Sequence, residues 1–295
     1  MKSVDIIVSC LIFTIFFFIL WKIKKNTEEN FSIKLDVDYK ENENAKLSYT
    51  ENTFTALIVE PRKHKALEFV LQNFFENLDS QWNFVILHGI ENETYVKDII
   101  NKLEKHKYRT NLINLGVKNL KYQEYNELFY TEKFYSYIHT ETFLIFQTDS
   151  MILKKNKHKI NDFLQYDYVG APWIPSIYGD YGIGNGGLSL RKKSKMLKLL
   201  KYKHLALSNN YNNLIYKNEY GKYIAEDRFF NGDYTKNFIK INKPTIQNAE
   251  SFSVESIYNN SPFGIHKCWY HLPKNDLIKL TSIYPEINTL IKYNN

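Results

Sequence analysis

Residues 143–150 read FLIFQTDS, Phe143 to Ser150, and their reading decides the fold. Four apolar residues in a row, closed by polar ones, form a strand buried on both faces, the habit of a parallel sheet covered on both sides. Asp149, directly after that run, is either a turn residue or a carboxylate held at a strand end. The run itself leaves both readings open.

Working outward, the same short apolar run occurs upstream as TALIV (55–59), NFVILHG (83–89) and NLINLG (111–116). Between these lie helical periods. Ala66, Leu67, Phe69, Val70, Leu71 and Phe74 mark one apolar face, Tyr95, Val96, Ile99, Ile100 and Leu103 a second, and residues 122–138 a third helical stretch. Strand and helix in alternation predict an α/β fold with a mostly parallel central sheet and helices on both faces. Ligands of such sheets bind at the C-terminal strand ends. Asp149 falls at one such end, and Glu60-Pro61-Arg62 at another. No Walker loop or G-x-G-x-x-G loop follows the first strand, so an ordinary ATP or dinucleotide site is not signalled.

The rest of the chain bounds the function. The net charge is +7 with a pI near 9.0, but the basic residues are scattered lysines rather than clustered arginines, which argues against a nucleic-acid partner. Cys10 and Cys268 are far apart in the chain, which excludes a disulfide framework and a cysteine zinc site. Ile6 to Trp21 is an uncharged run of sixteen residues, about 24 Å as a helix. It is expected to be a transmembrane anchor within residues 1–25, with a cleaved signal peptide as its rival. Residues 26–52 are polar, acidic and aperiodic and read as a flexible stem. Residues 53–295 then form the catalytic domain of a single-pass protein of the endoplasmic reticulum or Golgi, its side of the membrane left open. Sequons at Asn30, Asn92 and Asn259 decide nothing, because an asparagine-rich chain acquires them by chance.

Several blocks in order carry a resemblance: VEPR, ILHG, INLGV, LIFQTDS, DYVGAPW, GNGGLSLR, EDRFF, FSVE and PFGIHKCW, between Thr53 and Trp269. They resemble a glycosyltransferase of the GT-A type, and within it a little-characterised family of glycosyltransferase-like domains. The resemblance implies a Rossmann-type three-layer sandwich and transfer of a sugar from a nucleotide diphosphate donor to the hydroxyl of a glycan or glycoprotein acceptor. A sugar-nucleotide or glycan-binding pseudoenzyme without turnover is the alternative.

In GT-A enzymes a D-x-D motif after a strand holds a metal and the nucleotide sugar. LIFQTDS occupies that place with Gln147 instead of the first acid. The resemblance therefore implies Mn²⁺ or Mg²⁺ on Asp149 and His266, since these ions take oxygen ligands with some imidazole. Lys267 matches a lysine that contacts the diphosphate in retaining enzymes ending in G-x-x-K-P-W. GNGGLSLR followed by EDRFF is similar to inverting enzymes in which an acid serves as base, which implies Asp227 with Glu226 as its neighbour. The two likenesses imply opposite anomeric outcomes, and the reading leans to inversion. Glu60 and Arg62 are expected to line the nucleotide pocket, and Trp173, Asn185, Gly186 and Gly187 the substrate side. Each has a structural reading beside it. Acids open helices, glycines permit tight turns, and Trp173 is as readily core as a platform for a sugar ring.

Overall fold

A computed structural model of the chain describes residues 53–174, 182–204, 216–218 and 221–295. All belong to the second of the two units into which the chain divides, Tyr39–Asn295. Strands β1 (Phe54–Glu60), β2 (Trp82–His88), β3 (Thr110–Asn114) and β4 (Thr142–Phe146) lie where the apolar runs predict them. Beyond them follow β5 (Ser150–Ile152), β6 (Tyr168–Gly170), β7 (Pro172–Trp173), β8 (Gly182–Ile183), β9 (Leu188–Lys192), β10 (Tyr216–Asn218), β11 (Gly221–Tyr223), β12 (Ser253–Val254) and β13 (Gly264–His266).

The main sheet has the order β3-β2-β1-β4-β9-β6. Its first four strands are parallel, with Phe54 beside Trp82, Phe84 beside Thr110 and Thr55 beside Phe143. The last two strands are antiparallel to their neighbours, so the sheet is mixed. The C-terminal ends of β1, β2, β3 and β4 therefore share one edge.

Both faces of the parallel part are covered. Helix α1 (Leu67–Asn77) and helix α2 (Glu93–Lys102) share a buried cluster with Ala56, Ile58, Phe84, Ile86 and Leu144 on one face. Phe74 stacks on Phe146 at 3.9 Å between ring centroids. The single helical stretch expected over 122–138 is two helices, α3 (Tyr122–Leu128) and α4 (Glu132–Ser136). The break arises because the Thr131 hydroxyl accepts from Phe134 N–H and restarts the helix as an N-cap. Tyr135 from α4 meets Phe143 on the opposite face of the sheet edge-on. The alternation of the strand side chains thus fills two cores, as a sheet buried on both sides requires.

One membrane expectation is corrected. Among the described residues no helix is long and apolar enough to cross a membrane. The eleven-residue α1 spans only about 16 Å, and α1 is amphipathic rather than apolar all round. The transmembrane helix and signal-anchor expected over 6–21 lie outside the described residues, as does the stem over 26–52. The membrane attachment and the single-pass endoplasmic reticulum or Golgi localisation built on that run are withdrawn with it. The sequon at Asn92 is also resolved. Its side chain is fully buried, its amide nitrogen donates to the carbonyls of Glu60 and Arg62, and its oxygen accepts from Gly89 N–H, so no glycan can be carried there.

Candidate functional site

The chain leaves β4 through a tight turn at Gln147-Thr148-Asp149. Gln147 N–H donates to Ser150 Oγ at 2.9 Å, and that hydroxyl returns a bond to Gln147 O at 2.7 Å. Beyond the turn β5 starts a second sheet of order β12-β13-β5, in which β13 runs antiparallel to β5 and His266 stands opposite Ser150. This register carries the far end of the chain to Asp149. Lys267 N–H donates to Asp149 O at 2.9 Å, and His266 Nε2 lies 3.3 Å from Asp149 Oδ1.

His266 is buried and held at both nitrogens. Nδ1 faces Glu255 Oε1 at 3.1 Å and Asn185 Nδ2 at 2.9 Å, and Nε2 also faces Gln147 Oε1 at 3.3 Å. Burial alone would lower its pKa, but the Asp149 and Glu255 carboxylates overcome that and raise it to about 10. The two carboxylates therefore favour the charged form of the ring. Burial works against ionisation of Asp149 too, yet His266 and Lys267 hold its pKa below the usual carboxylate value. Asp149 Oδ1 is buried with no aligned hydrogen-bond partner.

Glu255 was not singled out from the sequence, although it ends the block FSVE. It is nearly buried and orders three neighbours: Trp173 Nε1 donates to Oε2 at 2.7 Å, Asn185 Nδ2 to Oε1 at 2.9 Å, and His266 lies beside Oε1. Trp173 is accordingly buried, with its indole N–H turned to Glu255. Tyr125 was missed as well. Its hydroxyl accepts from Gln147 Nε2 at 2.7 Å, which orients the amide so that Oε1 points to His266.

Asn185, Gly186 and Gly187 run between two groups of ionisable side chains. A methyl built on Gly187 would come within 2.1 Å of His266 Nε2, and one on Gly186 within 2.2 Å of Glu226 Oε1 and 2.9 Å of Asp227 Cβ. Only glycine allows the backbone this close to both. Glu226 and Asp227 open a short helix, Glu226–Phe230, whose first N–H, that of Glu226, is taken by Asn126 Oδ1 from α3. The Glu226 carboxylate is committed elsewhere. Arg191, fully buried on β9, donates to it twice, at 2.5 and 3.0 Å, beneath the rings of Tyr168, Phe129 and Phe230.

Asp227 is half-buried, and among the described residues its Oδ1 accepts a local bond from Arg228 N–H. Burial, then the neighbouring Glu226 and Glu255 charges, raise its pKa to about 7.

At the end of β1, Glu60 is buried and takes Arg62 in a fork, Nε to Oε1 and Nη2 to Oε2, both at 2.8 Å. Arg62 feels Glu60 first and Asp149 after it, which raises its pKa. Lys267 holds a left-handed backbone, φ 47°, alone among the described non-glycine residues. Such a conformation costs roughly 1–3 kcal/mol, and strain of this kind gathers at functional sites.

The residues do not fit a divalent cation. Asp149 Oδ1 lacks an aligned partner, as a ligand atom would, but both His266 nitrogens are already engaged, Nε2 by Asp149 and Gln147 and Nδ1 by Glu255 and Asn185, and Gln147 offers a neutral oxygen already turned to that ring. Among the described residues no group of three His, Cys, Asp or Glu side chains is disposed to hold a metal ion. The expected Mn²⁺ or Mg²⁺ on Asp149 and His266 is corrected on this ground.

Residues 109–266, more than half of the chain, match the family described as Protein of unknown function (DUF5672). The chain belongs to that family. The DUF5672 match takes in β3, β4, Asp149, the glycine segment, Glu226, Asp227, Glu255 and His266, but not Glu60, Arg62 or Lys267. No curated protein matches the sequence. Among solved structures, the glycosyltransferase GlyE of Streptococcus pneumoniae TIGR4 in its apo form is 12% identical with a TM-score of 0.46, over 81% of this chain and 62% of GlyE. This chain thus spans about three fifths of that protein. Mannosyltransferase PcManGT from Pyrobaculum calidifontis, in complex with GDP-Man and Mn²⁺, is 13% identical with a TM-score of 0.38, over 52% of this chain and 49% of that one. HddC from Yersinia pseudotuberculosis is 12% identical with a TM-score of 0.32, over 48% of this chain and 79% of that one.

Proposed function

We propose that this chain is a glycosyltransferase that moves a sugar from a nucleoside diphosphate to a hydroxyl acceptor, with inversion. One observation carries the reading. Gly186 and Gly187, beside the strand-end turn that holds Asp149, separate a fixed cluster of Asp149, His266 and Glu255 from a carboxylate, Asp227, with the pKa of a general base. A pKa near the working pH is what general-base catalysis needs, and catalytic groups collect at perturbed pKa values.

In this reading Arg62 and Lys267 meet the diphosphate, and the Asp149 carboxylate, held by His266, accepts a hydroxyl of the donor. Asp227 takes the proton of the acceptor hydroxyl as its oxygen bonds to the anomeric carbon. The bond from that carbon to the diphosphate breaks, and its electron pair leaves with the diphosphate, whose growing charge the fixed cations stabilise. Glu226 is a positioning residue: paired with Arg191, it sets the start of the helix that presents Asp227. Asn185 and Trp173 position His266 through Glu255. A glycan or glycoprotein is the acceptor class this reading favours.

The test is Asp227→Asn, which should keep nucleotide diphosphate binding and lose transfer by at least about a hundredfold. In the unsubstituted protein the rate should rise with pH through about 7, because the base is the ionised form. Unchanged transfer in Asp227→Asn removes Asp227 as the base. Binding of a nucleotide sugar with neither hydrolysis nor transfer over broad acceptor panels would favour a binding protein without turnover.

A further inference from the structure

We propose that this site takes its nucleoside diphosphate without a divalent cation, with His266 as the fixed counter-charge of Asp149 and with Lys267 and Arg62 meeting the phosphates. The proposal rests on the nucleotide-sugar reading of the same site.

A cation at a strand-end carboxylate needs further oxygen or imidazole ligands with lone pairs turned toward it. Here the candidate atoms are engaged with one another instead. His266 Nε2 faces two oxygens, Asp149 Oδ1 and Gln147 Oε1, both at 3.3 Å, and Nδ1 lies between Glu255 Oε1 at 3.1 Å and Asn185 Nδ2 at 2.9 Å, so neither nitrogen keeps a free lone pair. The ring cannot swing to free one. Gly187 lies against it so closely that an added methyl would come within 2.1 Å of Nε2. Gln147 cannot supply an anion, and its amide is locked by the bond from Nε2 to Tyr125 Oη, 2.7 Å, with Oε1 facing His266. The first position of the motif therefore serves as a brace for the His266 ring.

With Asp149 neutralised from within, the charge of the phosphates falls to fixed cations nearby. Lys267 follows His266 directly and is tied to Asp149 O through its own N–H. Its ammonium rests 5.3 Å from the Tyr270 ring centre, a contact that leaves its hydrogens for an anion. Arg62 has a side chain 55% exposed, and the Glu60 fork takes Nε and Nη2, which leaves Nη1. A fork-held guanidinium and an ammonium suit a diphosphate.

The experiment is calorimetric titration of the full chain with UDP and with GDP, once in EDTA and once in MnCl₂. Dissociation constants in the two buffers should agree within about threefold, a difference well below the 1.4 kcal/mol of a tenfold change. Manganese paramagnetic resonance of the nucleotide-free chain should leave the free Mn²⁺ signal undiminished. In EDTA, His266→Gln should weaken nucleotide binding by at least about tenfold, because it leaves Asp149 without its counter-charge. Binding tenfold or more tighter in MnCl₂ than in EDTA, a depleted Mn²⁺ signal, or unchanged affinity in His266→Gln overturns the proposal and leaves the nucleotide reading standing. If neither nucleotide binds in either buffer, both fall together.

Discussion

Arg191→Met is the sharpest test of how the site is held. Arg191 and Glu226 have side chains 0% and 5% exposed and share two hydrogen bonds, at 2.5 and 3.0 Å. Removal of the guanidinium leaves a buried carboxylate with no counter-charge, which costs about 3–5 kcal/mol. For a domain of this size each kcal/mol lowers the melting temperature by about 2–4 °C, so a fall of about 6–20 °C is expected. Glu226→Leu should cost a similar amount, for the cation is then the unpaired group. The double variant should recover at least about 2 kcal/mol of the summed losses, because an apolar pair of similar volume replaces a buried ion pair at little net cost. Urea denaturation of the four proteins gives the cycle directly. A second readout concerns Asp227. Its pKa is raised by burial and by Glu226 and lowered by Arg191, so Arg191→Met should move the rising limb of the pH–rate profile to higher pH. If the single losses add within about 0.5 kcal/mol, or if that limb does not move, the pair neither holds the helix start nor tunes Asp227.

Three further outcomes follow from the geometry. Gly187→Ala drives a methyl into the His266 ring and should weaken nucleotide binding at least about tenfold while costing roughly 1–3 kcal/mol of stability; unchanged affinity by calorimetry would count against the cluster. Gly186→Ala presses instead on Glu226 and Asp227, so transfer should fall while nucleotide affinity holds, and a loss confined to affinity would reverse that assignment. Arg109→Ala removes a guanidinium that donates to the carbonyls of Phe75 and Leu78 at the C-terminal end of α1, of Asp79 in the connection to β2 and of Trp82, where β2 begins; denaturant unfolding should show a loss of about 2–4 kcal/mol, and under 1 kcal/mol would remove its role as a cap.

The parallel half of the fold was legible because its signals are local. TALIV, NFVILHG, NLINLG and FLIF are short apolar runs that alternate with helical faces, and each is a strand of the main sheet. The block GNGGLSLR contains strand β9, but nothing in it gives the strand's direction. Chain direction depends on the connection between β4 and β9, which no local pattern encodes, and β9 proves antiparallel to β4. The two-residue strands β7, β8 and β12 carry too few residues for any period to register. The break between α3 and α4 had a visible cause in Thr131, but the flanking apolar residues kept the helical period and masked it.

At the site, chemistry was legible residue by residue, while pairing was not. His266 lies in the block PFGIHKCW, and the register of β13 on β5 does carry it to Asp149. What its nitrogens would face lay beyond the sequence, because Glu255 is eleven residues away and Gln147 is 119 away. Glu226 had the same difficulty, since its partner Arg191 is 35 residues upstream. A sequence reading assigns an acid to the nearest function it can perform, whereas a buried acid belongs first to whichever cation neutralises it. That priority separates the two adjacent acids here. Glu226 is taken by Arg191, and the same burial, with Glu226 as a charged neighbour, keeps Asp227 protonated up to about pH 7, which makes the second acid, rather than the first, the one able to exchange a proton.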